Sequence, residues 1–105
     1  MDGKTTIKYL QSYIKSKDCH PERTPEYFMK LAEEVGELSR AMQKNARRAD
    51  RESIKGTIEE ELWDVIYYTI AIANCYEIDL EEAIREKEAI NRVKYASVVT
   101  FEPGR

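Results

Sequence analysis

The sequence has no excess of positive charge. Its 17 Lys and Arg residues are outnumbered by 20 Asp and Glu, leaving a formal net charge of −3. A protein that neutralises a nucleic-acid backbone needs the opposite balance, so a nucleic-acid partner is not expected. A small anionic substrate stays open, provided that metal ions stand between it and the protein. Cysteine is scarce as well. Cys19 and Cys75 make no disulfide framework, and Cys75 lies in an apolar helical stretch where a small buried residue is the simpler reading. With no signal peptide ahead of the first charged helix, a reducing cytoplasm is the expected compartment. The most apolar run, VIYYTIAIANCY, is shorter than the roughly 18 to 20 residues of a membrane span, so no membrane association is expected. The one histidine, His20, precedes a proline and reads as a loop residue. There is thus no histidine-based metal set and no Ser-His or Cys-His nucleophile.

Glycine and proline are also few, four and three in 105 residues, which suits long helices joined by short links. No stretch of useful length alternates with period two, except conceivably the tail ASVVTFEPGR. The periodicity predicts four helices in one domain spanning 1–105. The first covers Thr5 to Ser16, with Ile7, Leu10 and Ile14 inward. The second starts at Thr24-Pro25, a hydroxyl N-cap followed by proline at the first helical position, and runs to about Arg47. The third begins between Arg51 and Thr57 and reaches about Tyr76. The fourth is opened by Asp79, with Glu82 three residues on as in a capping box, and reaches about Tyr95. Residues 96–105 form an irregular or extended tail. Such a chain is all-α, a four-helix bundle-type protomer. On the third helix Ile58, Leu62, Val65, Ile66, Ile70, Ile72, Ala73 and Tyr76 cover well over half the circumference. A helix buried on most sides in so short a chain implies completion by a second subunit.

The acidic residues are the anomaly. In KLAEEVGELSRAM the residues Leu31, Val35, Leu38 and Met42 follow the spacing of a buried stripe, and Glu34 lies at its edge with Glu37 one step farther round. Glu33 points nearly opposite. On the third helix Glu61 and Asp64 are three apart and share one side, which Tyr68 continues one turn later. A single E-x-x-E on a helix is ordinarily a solvated or salt-bridged face. Two such pairs, each beside an apolar stripe on helices that pack antiparallel, bring a metal site level with that bland reading. Four carboxylates in a partly buried space cannot all stay ionised without cations. Oxygen-only donors suit a hard ion, Mg²⁺ or Mn²⁺, and Mg²⁺ commonly completes its shell with substrate phosphates. On the fourth helix Lys87, Asn91 and Lys94 share the side of Leu80, Ala83 and Ile84. A snorkelling stem explains the lysines, and contact with phosphate or base is the sharper alternative for Lys87 and Asn91.

EEVGEL, a spacer, then EELWDVIYYTIAIANCYEIDLEEA and REKEAINR together resemble the MazG-type all-α nucleotide pyrophosphohydrolases, a superfamily that includes dimeric dUTPases and phosphoribosyl-ATP pyrophosphatase. The resemblance covers roughly residues 25 to 95. Its signature, E-x-x-E, a spacer and E-x-x-D, is met by Glu34, Glu37, Glu61 and Asp64. It implies Mg²⁺-dependent hydrolysis of a (deoxy)nucleoside triphosphate to the monophosphate and pyrophosphate, with Mn²⁺ a candidate substitute. It also implies a homodimer or homotetramer, and a family-level expectation of clearing surplus or non-standard nucleotides. By position the four carboxylates would be the metal ligands and catalytic centre. Tyr68, Lys87 and Asn91 would contact substrate. Glu33 would orient water or simply face solvent, and its outward position favours solvent. Tyr27 and Trp63 are further candidates to line the pocket, with Trp63 equally suited to a subunit interface.

Three rival readings remain. A ferritin-like di-iron bundle requires Glu-x-x-His pairs that a single loop histidine cannot supply. A helical module of the same fold, binding nucleotides or proteins without catalysis, is opposed by the intact set of four acids. Phosphoribosyl-ATP pyrophosphatase activity ranks lower, because DVIYY lacks the Tyr-His pairing associated with that branch.

Overall fold

The computed structural model describes residues 4–95 and 101–102. Four helices are present, with no strand among the described residues: α1 Ile7–Lys17, α2 Thr24–Gln43, α3 Ile58–Cys75 and α4 Leu80–Tyr95. Short 3-10 turns, Pro21–Arg23 and Arg48–Asp50, lie in the first two connections. Of the expected tail, only Phe101 and Glu102 fall within the described residues, and both lie outside regular structure.

The helix starts follow cap chemistry, with one correction. Thr6 opens α1 by accepting from the Tyr9 amide at 3.0 Å, and Thr57 opens α3 by accepting from the Glu60 amide at 3.2 Å. Asp79 accepts from the Glu82 amide at 3.2 Å. The return half of the expected capping box does not form, because the Glu82 carboxylate is taken by Arg85 at 3.0 Å. Thr24 is not an N-cap. It is the first residue of α2, and its hydroxyl donates to the Pro21 carbonyl at 2.6 Å, so the preceding 3-10 turn runs straight into the helix.

The helix ends depend on two residues the periodicity did not single out. Asn45 and Glu77 have φ of 50° and 55°, in the left-handed region. After α2 the amides of Asn45 and Ala46 donate to the carbonyls of Met42 and Ala41. After α3 those of Glu77 and Ile78 donate to Asn74 and Ala73. Both are Schellman closures. The first stops α2 at Gln43, short of the expected Arg47.

α2 packs most extensively on α3, α1 lies against another side of α3, and α4 packs chiefly on α1. Early residues of α2 meet late residues of α3, as where Lys30 and Tyr68 line one cleft. The Ile58 amide at the start of α3 donates to the Ala46 carbonyl beyond the end of α2. The pair is therefore antiparallel. Ile14, Tyr27, Ile70 and Ala71 form the core, flanked by Leu10, Tyr67, Tyr68, Ile72, Cys75 and Leu80. Gln11 fastens α1 to the α3–α4 turn: its side-chain amide nitrogen donates to the Ile78 carbonyl at 2.8 Å and its oxygen accepts from the Leu80 amide at 3.0 Å.

The stripe expected on α2 is only partly covered: Leu31 and Leu38 are half-buried, and its outer edge stays open. Val35 and Met42 are 50% and 60% exposed, while the buried residues of α2 are Tyr27 and Ala41. Half-buried Glu34 lies midway between them at spacings of seven, which return a residue to nearly the same side of a helix. Nor is α3 enclosed within one chain, since Leu62, Ile66 and Tyr76 are all exposed.

Thr57 is fully buried, and its hydroxyl also donates to the Ile54 carbonyl at 2.6 Å. Thr57→Ala removes both side-chain bonds and leaves the Glu60 amide without its cap, while the Ile54 carbonyl keeps the Thr57 amide as donor. It should lower stability by about 1–2 kcal/mol, read as a lower urea midpoint with helical circular dichroism retained.

Candidate metal centre and adjoining cleft

The second connection directs the acids of α3. Gly56, at φ 76°, makes a bend that a side chain would strain, and its amide donates to Glu60 at 2.7 Å. Glu59 is held outward by the Arg47 guanidinium at 3.0 Å and the Arg48 amide at 2.9 Å, which together hold its carboxyl below the usual range. Two of the three consecutive glutamates are thus tied to the connection, and Glu61 is the one that turns inward.

Glu61 is only 7% exposed, and its Oε1 has no hydrogen-bond partner among the described residues. Carboxylate oxygens of Glu34, Glu61 and Asp64 all lie within 4.8 Å of one another. Burial, then the charge of Asp64, then Glu34 close enough to share a proton, push the Glu61 carboxyl up to about 7. Asp64 is raised for similar reasons, by burial and by Glu34 and Glu60, with Lys55 opposing. A buried acceptor facing two further acids is unfavourable unless a cation or proton supplies the missing charge. The donor set, all carboxylate oxygen, fits a hard divalent ion.

The structure brings together three of the four expected acids. Glu37 is exposed and paired with Arg40 on its own helix. Glu33 is exposed and faces Lys30 at 3.4 Å, in keeping with its outward reading. Asn91 donates to Glu88 at 3.0 Å and Lys87 is exposed, both on a helix that packs chiefly on α1. Within one chain they are not gathered with the acids.

Tyr68 borders a cleft of about 280 Å³ together with Asp18, His20, Arg23, Glu26, Tyr27 and Lys30. The cleft adjoins the acids along both helices: Lys30 precedes Glu34 by one turn on α2, and Tyr68 follows Asp64 by one turn on α3. That i±4 relation could have flagged Lys30 from the sequence. Asp18 has no local signal, because its partners Tyr27 and Tyr67 reach it from α2 and α3. Trp63 is set edge-on to Tyr67, with ring centroids 6.0 Å apart, and does not line this cleft.

The fold and the sequence both match known proteins. The family model of the MazG nucleotide pyrophosphohydrolase domain matches residues 23–94. Two crystal structures of iMazG from Vibrio DAT 722 are similar over most of the chain. One is 42% identical, covers 89% of this chain and all of its own, and has a TM-score of 0.79. The other is 41% identical, covers 84% of this chain and 99% of its own, and has a TM-score of 0.77. No curated protein matches the chain. The chain belongs to the MazG nucleotide pyrophosphohydrolase family.

The raised Glu61 carboxyl has a definite consequence for metal-free protein. A carboxyl whose folded pKa exceeds its unfolded value contributes stability that is fully present below the unfolded value and lost as pH rises through the folded one. For Glu61 that window runs from its ordinary 4.5 to about 7. In chelator, the urea midpoint should therefore fall between pH 5 and pH 8, and Glu61→Gln should flatten the fall. An unchanged slope in a folded Glu61→Gln protein would contradict the assignment.

Proposed function

We propose that this protein hydrolyses a nucleoside triphosphate between its α- and β-phosphates, giving the monophosphate and pyrophosphate in a reaction that requires Mg²⁺, with Mn²⁺ able to substitute. The observation that carries this reading is the buried Glu61 oxygen without a donor, facing Glu34 and Asp64. These three carboxylates would hold the cation, and Glu37 joins them on turning away from Arg40. A divalent ion held there would supply charge to offset the phosphates and would lower the pKa of a bound water. Lys30 and Tyr68, one turn from the acids, receive the remainder of the nucleotide. The expected setting is the cytoplasm.

The same reading extends to assembly. Phe28, Val35 and Met42 recur at spacings of seven along α2, Leu62 and Ile66 lie one turn apart on α3, and all five are exposed in a single chain. A homodimer or homotetramer would cover them, and a second copy could carry Lys87 and Asn91 to the substrate. Sedimentation should show a multiple of the chain mass. Ile66→Glu should shift it towards monomer with loss of turnover, whereas a wild-type protein sedimenting as a single chain would overturn the assembly.

The reaction itself is tested by incubating the protein with deoxy- and ribonucleoside triphosphates, with Mg²⁺ or with chelator, and separating the products. Metal-dependent monophosphate and pyrophosphate are expected. Asp64→Asn and Glu37→Gln should each lower kcat/KM at least about a hundredfold with the helical spectrum retained, a loss in the range seen on removing a charge-stabilising group. Diphosphate with orthophosphate would refute the bond assignment. No turnover, or turnover of phosphoribosyl-ATP alone, would favour a binding module or the histidine-pathway branch. Normal activity in folded Glu37→Gln would remove that residue from the centre.

A further inference from the structure

The cleft beyond the acids carries a feature that the hydrolysis chemistry does not use. Asp18, from the α1–α2 connection, accepts from two phenols: Tyr27 Oη donates to Oδ1 at 2.6 Å and Tyr67 Oη donates to Oδ2 at 3.2 Å. Burial first, and then the Asp18 carboxylate, raise both phenols, Tyr67 to about 12, so each remains a donor at neutral pH. The carboxylate is thereby fixed in orientation while each oxygen keeps room for a second donor. It is about one-third exposed and lines the cleft. The imidazole of His20 stands nearby, with Nε2 3.9 Å from Oδ1, beyond hydrogen-bond distance.

Placement along the helices gives the cleft its occupant. Four residues of helix rise by about 6 Å, so Lys30 and Tyr68 stand that far from Glu34 and Asp64 respectively. A nucleotide whose phosphates meet the acids has its base within reach of the cleft. The volume, about 280 Å³, is near the lower end of the roughly 300–1,000 Å³ usual for small-ligand sites. That is room for a base rather than for a whole triphosphate. Tyr68 supplies an aromatic wall of the kind on which bases pack, with Tyr27 buried behind the cleft.

The geometry points to Asp18 as the residue that reads the nucleobase: as a fixed acceptor in the aromatic cleft, it selects bases that present an amino group over uracil and thymine. Cytosine offers an exocyclic N–H₂ where uracil and thymine offer a carbonyl oxygen. A carboxylate accepts from the first and is repelled by the second. This rests on the hydrolysis proposed above and names the substrate class of that site.

dCTP and dUTP differ only along that edge of the base and form the matched pair for the test. The wild-type protein with Mg²⁺ should favour dCTP in kcat/KM by about tenfold or more, in line with sites built to hydrogen-bond their substrate. Asp18→Asn can still accept from a tyrosine and can also donate, and should bring the ratio to within about threefold by improving dUTP more than dCTP. Calorimetric binding of dCMP and dUMP reads the cleft without turnover, and dCMP should bind the tighter. Equal kcat/KM for the two triphosphates, or equal binding of the two monophosphates, overturns the role of Asp18. So does an unchanged ratio in Asp18→Asn that keeps the wild-type circular dichroism. Failure to hydrolyse either triphosphate while dCMP is still preferred would sink the hydrolysis and leave the base selection standing.

Discussion

The seam between α2 and α3 closes over a carboxylate. Glu61 is almost fully buried, one of its oxygens has no donor among the described residues, and its nearest acidic neighbours are Glu34 and Asp64. Burial of this kind opposes folding, so the surrounding chain must hold it in place. Thr57 caps the helix one turn before it. Gly56 and Glu60 set the bend, and Arg47 with Arg48 holds Glu59 outward. The local chemistry of the second connection exists around a group that would otherwise move to water. A site that is costly when empty is a site that gains when filled.

Much of this could be read from the sequence. Four helices, the cap at Asp79, and the convergence of Glu34, Glu61 and Asp64 all follow from spacing and cap chemistry, whereas Thr57 was only the far bound for the start of the third helix. What the spacing could not give was the relation of helices to one another. The apolar stripe from Leu31 to Met42 reads as buried, but period alone does not name the partner that buries it. In the structure Tyr27, Glu34 and Ala41 share the sector towards α3, while Val35 and Met42 stay open. Glu37 fell short of the other acids for a different reason. Arg40, one turn away, competes for it, since an i, i+3 ion pair is available within the helix itself. Thr24 was misread because a hydroxyl before proline has two uses, accepting at a cap or donating back to a turn, and only the backbone of Pro21–Arg23 decides between them.

Tertiary placement likewise accounts for the residues that spacing passed over. Asp18 gains its position from Tyr27 and Tyr67, which are nine and forty-nine positions away in sequence. The two phenols join the α1–α2 connection to α2 and α3 at once, so the wall of the cleft and the packing of three helices share the same bonds. A substitution there acts on shape and on recognition together, whereas Glu37 is exposed and can be replaced without disturbing the packing.

Trp63, the chain's one tryptophan, gains meaning from this layout. It stands next to Asp64 in sequence and two residues after Glu61, partly open to solvent, with its ring set edge-on to the Tyr67 that also holds Asp18. The molecule therefore carries a single tryptophan, excitable apart from its seven tyrosines, beside its acids and against a ring that anchors Asp18. Charge arriving at one side and a base arriving at the other would both register in the same emission band, without a label.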